Sequence, residues 1–233
     1  MDIIECLIKT GFTRHESILY LALCKEGELT GYEAAKISGI PRSNAYLALS
    51  GLVEKGGACR IESESVKYIA VPAKELVFNM RAQLNQVFDY IERNTPVRDL
   101  PKEPYITVEG KSHIINKMRY VIKEATERIY LSMSPTELEC VRDEIVEACG
   151  RGLKIVVITS SGFSMDDVVL YRNEKQPGQI RLIADSAHVI TGEIGDDNSS
   201  ACLYSKNKNL IQLIKDSLTN EIKLIQLNMK DKG

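Results

Sequence analysis

Residues 94–104, NTPVRDLPKEP, put three prolines and several charges into eleven positions without any apolar periodicity. Proline removes a backbone donor and fixes φ, so neither a helix nor a central strand runs through such a stretch. It reads as a linker, and it obliges the chain to find a core on each side of it. At 233 residues the sequence is long enough for two small domains, each with its own apolar interior.

Before the linker the rhythm is helical. Ile3, Ile4, Leu7 and Ile8 form a short stripe that Gly11 ends. Thr13-x-x-Glu16 is a capping box opening a second helix, with Ile18, Leu19, Ala22 and Leu23 facing inward and Gly27 as its stop. The same signal recurs at Thr30-x-x-Glu33 and opens a helix of about two turns through Ala34, Ala35 and Ile37. Gly39 and Pro41 then break the chain sharply, and Ala45, Leu49, Leu52 and Val53 continue as the inward stripe of the next helix. That pattern leaves Arg42, Ser43, Asn44, Tyr46, Leu47 and Ser50 outside. Gly56-Gly57 stops this helix, and 58–62 and 66–71 read as a hairpin around a polar tip at Ser63–Ser65.

From 73 to 93 the apolar residues Ala73, Val77, Met80, Leu84, Val87 and Ile91 are spaced 4, 3, 4, 3, 4. Such a seam either packs on its own domain or joins two chains as a coiled coil. The earlier helices already account for a small core, which favours the second use, with Val77, Met80, Leu84, Val87 and Ile91 as dimerisation residues. After the linker, strand-like and helical runs alternate: strands at 105–108, 129–133 and 153–159, helices at 112–127 and 135–149. Further strands follow at 179–184, 189–193 and 201–204, and an amphipathic helix at 207–224 closes the pattern. The expected architecture is therefore multidomain: a winged helix-turn-helix at 1–72, a dimerisation helix at 73–93, a linker at 94–104 and a mainly parallel α/β domain at 105–233.

Overall charge gives no reason to look for a polyanion, with 30 basic against 32 acidic residues and a formal net charge of -2. Residues 1–95 hold 11 basic and 12 acidic residues, so any DNA affinity has to come from local placement. The six cysteines include no C-x-x-C pair and read as reduced, structural thiols, so no metal and no cofactor is expected. Early acids in MDIIECLIKTG and the lack of a spanning apolar run indicate a soluble, cytoplasmic protein.

Two short helices at a sharp turn followed by a hairpin put the second of them where a recognition helix lies. Its first turn carries orphan N–H groups and the positive end of the helix dipole, both suited to phosphate. Arg42 can pair bidentately with guanine or phosphate, and Ser43, Asn44 and Tyr46 supply further donors and acceptors. Thr30, Tyr32 and Lys36 from the preceding helix, Arg60 and Lys67 from the hairpin, and Lys55 complete the candidate DNA contacts. The same fold without DNA would be an interaction module, and the exposed Arg-Ser-Asn-x-Tyr set is the argument against that.

The residues Gly11, Thr13, Glu16, Tyr20, Leu23, Gly27, Thr30, Ala34 and Ile37, then SGIPRS at 38–43, Tyr46, Leu49, Leu52 and Lys55-Gly56, resemble the N-terminal domain of the TrmB-like family of prokaryotic transcriptional regulators. The heptad helix and the α/β part are similar to the family too, which implies a domain resembling half of a phospholipase D. The resemblance implies a dimeric, sequence-specific regulator on a palindromic operator, with a C-terminal part that senses a small molecule, often a sugar.

A phospholipase D would be a phosphodiesterase and would need H-x-K-x(4)-D, in which the histidine attacks and the lysine holds phosphate oxygens. Around His188 the sequence is HVITGEIGDD: Ile190 occupies the lysine position and Gly195 the aspartate position, with Asp196 one step away. His15 and His113 have Ser17 and Ile115 two residues on. Catalysis by this route is not expected. The additional β-rich domain of the family's sugar binders has no counterpart here, because about ten residues follow the last helix. An effector would enter the crevice at the carboxyl ends of the parallel strands, near Ser132, Ser134, Thr159, Ser160, Asp185 and His188. The other use of the α/β domain is as a dimer interface without a ligand.

Overall fold

The computed structural model describes residues 2–62, 65–96, 105–195 and 200–230. The chain divides into two compact units, Met1–Val97 and Arg98–Gly233, and the division falls inside the proline-rich stretch. Positions 97–104 of that stretch, 63 and 64 of the hairpin tip, and Asp196 lie outside the described residues.

In the first unit α1 (Ile3–Lys9) leads to α2 (Arg14–Glu26). The Glu16 N–H donates to the Thr13 hydroxyl at 3.2 Å, and the Thr13 N–H donates to the Glu16 carboxylate at 2.6 Å. A two-residue strand, β1 (Leu29–Thr30), precedes α3 (Gly31–Ser38), where Thr30 and Glu33 repeat the reciprocal cap. Gly39 ends α3 with φ 71, a left-handed conformation that glycine adopts without a Cβ penalty. Pro41 then sets the entry to α4 (Arg42–Glu54). β2 (Ala58–Ile61) and β3 (Lys67–Ala70) form the hairpin, and α5 (Ala73–Asn94) follows.

Leu19, Leu23, Ala34, Ala45, Leu49 and Leu52 form a dry core with 0–1 % exposure. Each such leucine contributes on the order of 1.5–3 kcal/mol by leaving water. The Tyr20 hydroxyl donates to the Val71 carbonyl at 3.0 Å and so fastens the hairpin to α2. Two expectations change here. The hairpin is part of a three-stranded sheet, because Leu29 pairs with Tyr68 to place β1 beside β3. Ile37 is half exposed rather than inward, since Ala34 and Ala35 already fill the inner face of a helix only two turns long.

The second unit is a seven-stranded sheet covered on both faces. Its elements are β4 (Tyr105–Glu109), α6 (Lys111–Glu124), β5 (Arg128–Met133), α7 (Pro135–Glu139), α8 (Arg142–Gly150), β6 (Lys154–Thr159) and β7 (Val169–Arg172). β8 (Gln179–Ala184), β9 (His188–Glu193), β10 (Ala201–Ser205) and α9 (Lys208–Lys230) complete it. The strand order is β4-β10-β9-β8-β5-β6-β7. One face packs Ile129, Leu131, Ile155, Val157, Leu182 and Ile190 against Ile114, Met118 and Ile122 of α6 and Ile145 of α8. The other buries Ile158, Ile183 and Val189 under Ile211, Leu218 and Ile225, which recur every seventh residue along α9.

The α/β character holds, but the sheet is not mainly parallel. Only β5–β6 and β6–β7 are parallel; the pairings β4–β10, β10–β9, β9–β8 and β8–β5 are antiparallel. Parallel neighbours need a crossover, and among the described residues no helix lies between β8, β9 and β10. β7 had no periodic signal, being four residues long behind a pair of aspartates. The helix expected at 135–149 is two helices, broken at Cys140–Val141. There the Arg119 guanidinium donates twice to the freed Cys140 carbonyl, at 3.1 and 2.9 Å. α9 continues to Lys230, beyond the end at 224 that the sequence pattern indicated.

Candidate nucleic-acid interface

The first turn of α4 has no side chain capping it: Pro41 precedes it without a side-chain hydrogen bond. Its leading N–H groups are therefore free to meet an anion, in addition to the helix dipole. Arg42, Ser43 and Asn44 are exposed at this end. The Arg42 guanidinium lies 4.3 Å from the ring centroid of Tyr32, so α3 supplies a platform that limits where the guanidinium can go. One turn on, Tyr46 lies against Gly31, where an added Cβ would come within 2.3 Å of the ring. Both tyrosines stay half exposed. Leu47, at 75 % exposure, continues the same outward face, apolar and able to meet a thymine methyl.

The other candidate contacts divide by what already occupies them. The Thr30 hydroxyl donates to Glu33 at 2.8 Å and accepts from the Glu33 N–H at 3.3 Å, so its work is to start α3. The Thr30 N–H, which donates to the Glu33 carboxylate at 2.8 Å, and then the Thr30 hydroxyl hold that carboxyl below its usual range. Lys67 pairs with Glu28 at 3.5 Å and Arg60 with Glu62 at 3.0 Å, exposed pairs that a phosphate can displace at little cost. Lys36 is exposed and forms no ion pair among the described residues.

Lys55 is engaged inward instead. Its ammonium donates to the Glu16 carboxylate at 2.7 Å and to the Gly11 carbonyl at 2.9 Å, tying α4 to α2. Burial pushes the Glu16 carboxyl up, but Lys55 and the Thr13 N–H outweigh it, and its value ends below normal. His15, considered in the sequence only as a nucleophile, lines a depression with Asn44, Leu47 and Ser50. The signal for it was present, since His15 stands in the first turn of α2 directly after the cap.

On α5 only Leu76 is buried; Met80 packs partly against the core of its own unit. Val77, Leu84, Val87 and Ile91 of the expected seam are 42–55 % exposed. Phe88, 59 % exposed, was not in the heptad list but lines a depression with Thr10, Val77, Met80, Arg81 and Leu84.

The six residues assigned to an effector crevice do not come together. Ser132, Ser134, Thr159 and Ser160 lie toward the carboxyl ends of β5 and β6. β8 runs against β5, with Ala184 opposite Ile129 and Ile180 opposite Met133. Asp185 and His188 therefore sit at the other end of the sheet, about 16 Å away at strand rise. The first group is closed inward: Ser132, Ser134 and Thr159 are buried, and Ser134 donates to the buried Glu137 carboxylate, which also accepts from the Gly178 N–H at 3.2 Å. Thr159 Oγ1 is buried without a hydrogen-bond partner. Asp185, at φ 51, accepts from the N–H groups of Thr126, Glu127 and Arg128 at 2.8–2.9 Å. Burial would raise its carboxyl, but these donors bring it below its usual range.

The fold and this surface define a winged helix-turn-helix protein with an appended α/β domain. Residues 7–74 match the model of the sugar-specific transcriptional regulator TrmB, and residues 105–221, half of the chain, match the model of the N-terminal subdomain of the TrmB EBD. The chain belongs to the TrmB family of transcriptional regulators. It is 27 % identical over 241 residues to the uncharacterized protein YrhO of Bacillus subtilis, covering 98 % of this chain and 87 % of that one. It is also 26 % identical to the HTH-type sugar sensing transcriptional regulator TrmBL1 of Pyrococcus furiosus, covering 91 % of this chain and 66 % of the relative. Among solved structures it is similar to TrmBL2, titled an archaeal chromatin protein with a novel mode of DNA binding, at 18 % identity and a TM-score of 0.48, covering 95 % of this chain and 97 % of that one. Among the described residues no helix is long and apolar enough to cross a membrane.

Proposed function

We propose that the chain is a dimeric, sequence-specific DNA-binding regulator that enters the major groove with the N-terminal turn of α4. The observation that carries this is the uncapped, exposed start of α4, with Arg42 steadied over Tyr32 beside Ser43 and Asn44. A fixed guanidinium loses less freedom on pairing with a guanine edge than a mobile one, and the free N–H groups take the adjoining phosphate. Tyr46, Leu47, Lys36 and His15 extend the contact, and Arg60 and Lys67 exchange their acidic partners for phosphate at the flanks.

Dimerisation is assigned to α5. A row of Val77, Leu84, Phe88 and Ile91 left in water is unfavourable for a single chain and favourable for two, and two recognition helices match a palindromic site. Membership in a regulator family supports the reading. A phosphodiesterase is disfavoured, because Ile190, in the position required for the lysine, is a wholly buried core residue of β9. DNase I footprinting on the DNA upstream of the gene tests the proposal. Two protected half-sites about one helical turn apart are expected, whereas uniform protection or none would contradict it.

A further inference from the structure

Near the β8–β9 turn the second unit holds cations that form no ion pair with a carboxylate among the described residues. Lys117, in the middle of α6, places its ammonium 3.9 Å from the ring centroid of Tyr204 and 5.7 Å from that of Tyr120. The Tyr204 hydroxyl is 2.8 Å from Nδ1 of His188, and the two rings stack at 5.9 Å. Lys206 directly follows β10. Since Ser205 pairs with Val189, the ladder brings Lys206 opposite His188 on the same side of the sheet. Three elements thus deliver two ammonium groups, an imidazole and a phenol to one place.

The possible counter-charges are committed elsewhere. Asp185 is held by three backbone N–H groups, and burial pushes the Cys202 thiol up to about 11, so it is neutral. Neither Lys117 nor Lys206 forms an ion pair among the described residues. Burial, and then the charge of Lys206, hold the Lys117 ammonium below its ordinary value. Burial, then Lys206 and Lys117, do the same to His188 and outweigh the opposing charge of Asp185, so its imidazole is neutral near neutral pH. In the tautomer whose Nδ1 accepts from the Tyr204 hydroxyl, Nε2–H is left to donate, and in the imidazolium Nε2–H donates whichever way that contact runs. Like charges held together in partly desolvated surroundings repel, and an anion between them relieves the repulsion. Two cations with neutral donors beside them suit a dianion. The half-buried position suits a single small group better than a DNA backbone, whose phosphates come in a row and carry one charge each.

We propose that Lys117, Lys206 and His188 bind the phosphate group of a small phosphorylated ligand, with Tyr120 alongside to meet the rest of it. This names the effector class for the regulator reading, and rests on that reading only for its consequence at the operator. The probe is inorganic phosphate, titrated calorimetrically into the full-length protein without DNA, at constant ionic strength with chloride as the control. Saturable binding is expected, with proton uptake at neutral pH because an anion raises His188 toward protonation. Lys206→Ala and Lys117→Met, each checked for an unchanged melting profile, should weaken it at least about tenfold, as loss of a charge-assisted pair does. Lys206 is exposed, so its variant keeps the test valid if the α6 variant misfolds. No saturable heat beyond chloride, or binding undiminished in both variants, would overturn the proposal. So would variants that lose operator affinity without any phosphate binding, since the patch would then contact DNA. A failed footprint with phosphate binding intact would count against the operator reading alone.

Discussion

A guanidinium at the first position of a helix has free N–H groups beside it and the positive end of a dipole behind it; Arg42 has in addition the Tyr32 ring 4.3 Å away. Arg42→Ala is expected to weaken operator binding by about 1–3 kcal/mol and to relax the base preference at one position. Arg42→Lys should recover only part of the loss, because an ammonium cannot form the bidentate pair. Other residues near this helix are structural. A Cβ at Gly51 would lie 2.3 Å from the Glu16 carboxylate, which is already fixed by Lys55 and Thr13. Gly51→Ala should therefore lower stability by roughly 1–3 kcal/mol in denaturant unfolding, despite the better helix propensity of alanine. Glu16 and Asp185 both have carboxyls below their unfolded values, so the stability they add is present above those values and lost as pH falls through the folded ones. Acid unfolding monitored by circular dichroism should begin below about pH 4, and Glu16→Gln should flatten the part of the loss that belongs to the first unit.

At the scale of elements, α5 has the clearest consequence. A charge on its exposed row, as in Leu84→Glu, should shift the sedimentation coefficient to that of a monomer while leaving the melting of the first unit nearly unchanged, because Leu76 alone is deeply buried there. Much of this was legible in the sequence wherever a local rule governs. Both capping boxes, the left-handed stop at Gly39 and the inward leucines of α4 follow from pattern alone. The exposed α5 row was legible except for Phe88, because a 3.5-residue repeat drops a position that 3.6 residues per turn keeps on the same side. What was not legible depends on partners distant in the chain. The β5–β8 pairing sent Asp185 and His188 to the opposite end of the sheet from Ser134 and Thr159. The turn at Cys140 closes on an arginine 21 residues earlier. Lys55 looked like a phosphate contact until Gly11 and Glu16 claimed it.

For the whole molecule, a near-neutral chain has to bind DNA with a few well-placed groups rather than a basic field, and its salt dependence should be correspondingly shallow. Lys36→Ala should lower the slope of log affinity against log salt by about 1, uniformly across sequences. Lys67→Ala should change it less, since Lys67 must first leave Glu28. The account rests on α4 reading bases in a dimer. Fluorescence anisotropy with a labelled fragment of the gene's own upstream DNA, competed by the same fragment and by a scrambled one, tests that directly. Wild type should prefer the native competitor by at least about a thousandfold, and Arg42→Ala should lower that preference by roughly 5- to 150-fold, as a loss of about 1–3 kcal/mol does, while retaining its salt-dependent non-specific binding. Equal competition by the scrambled fragment, or an Arg42→Ala curve that overlays the wild type, would contradict the account.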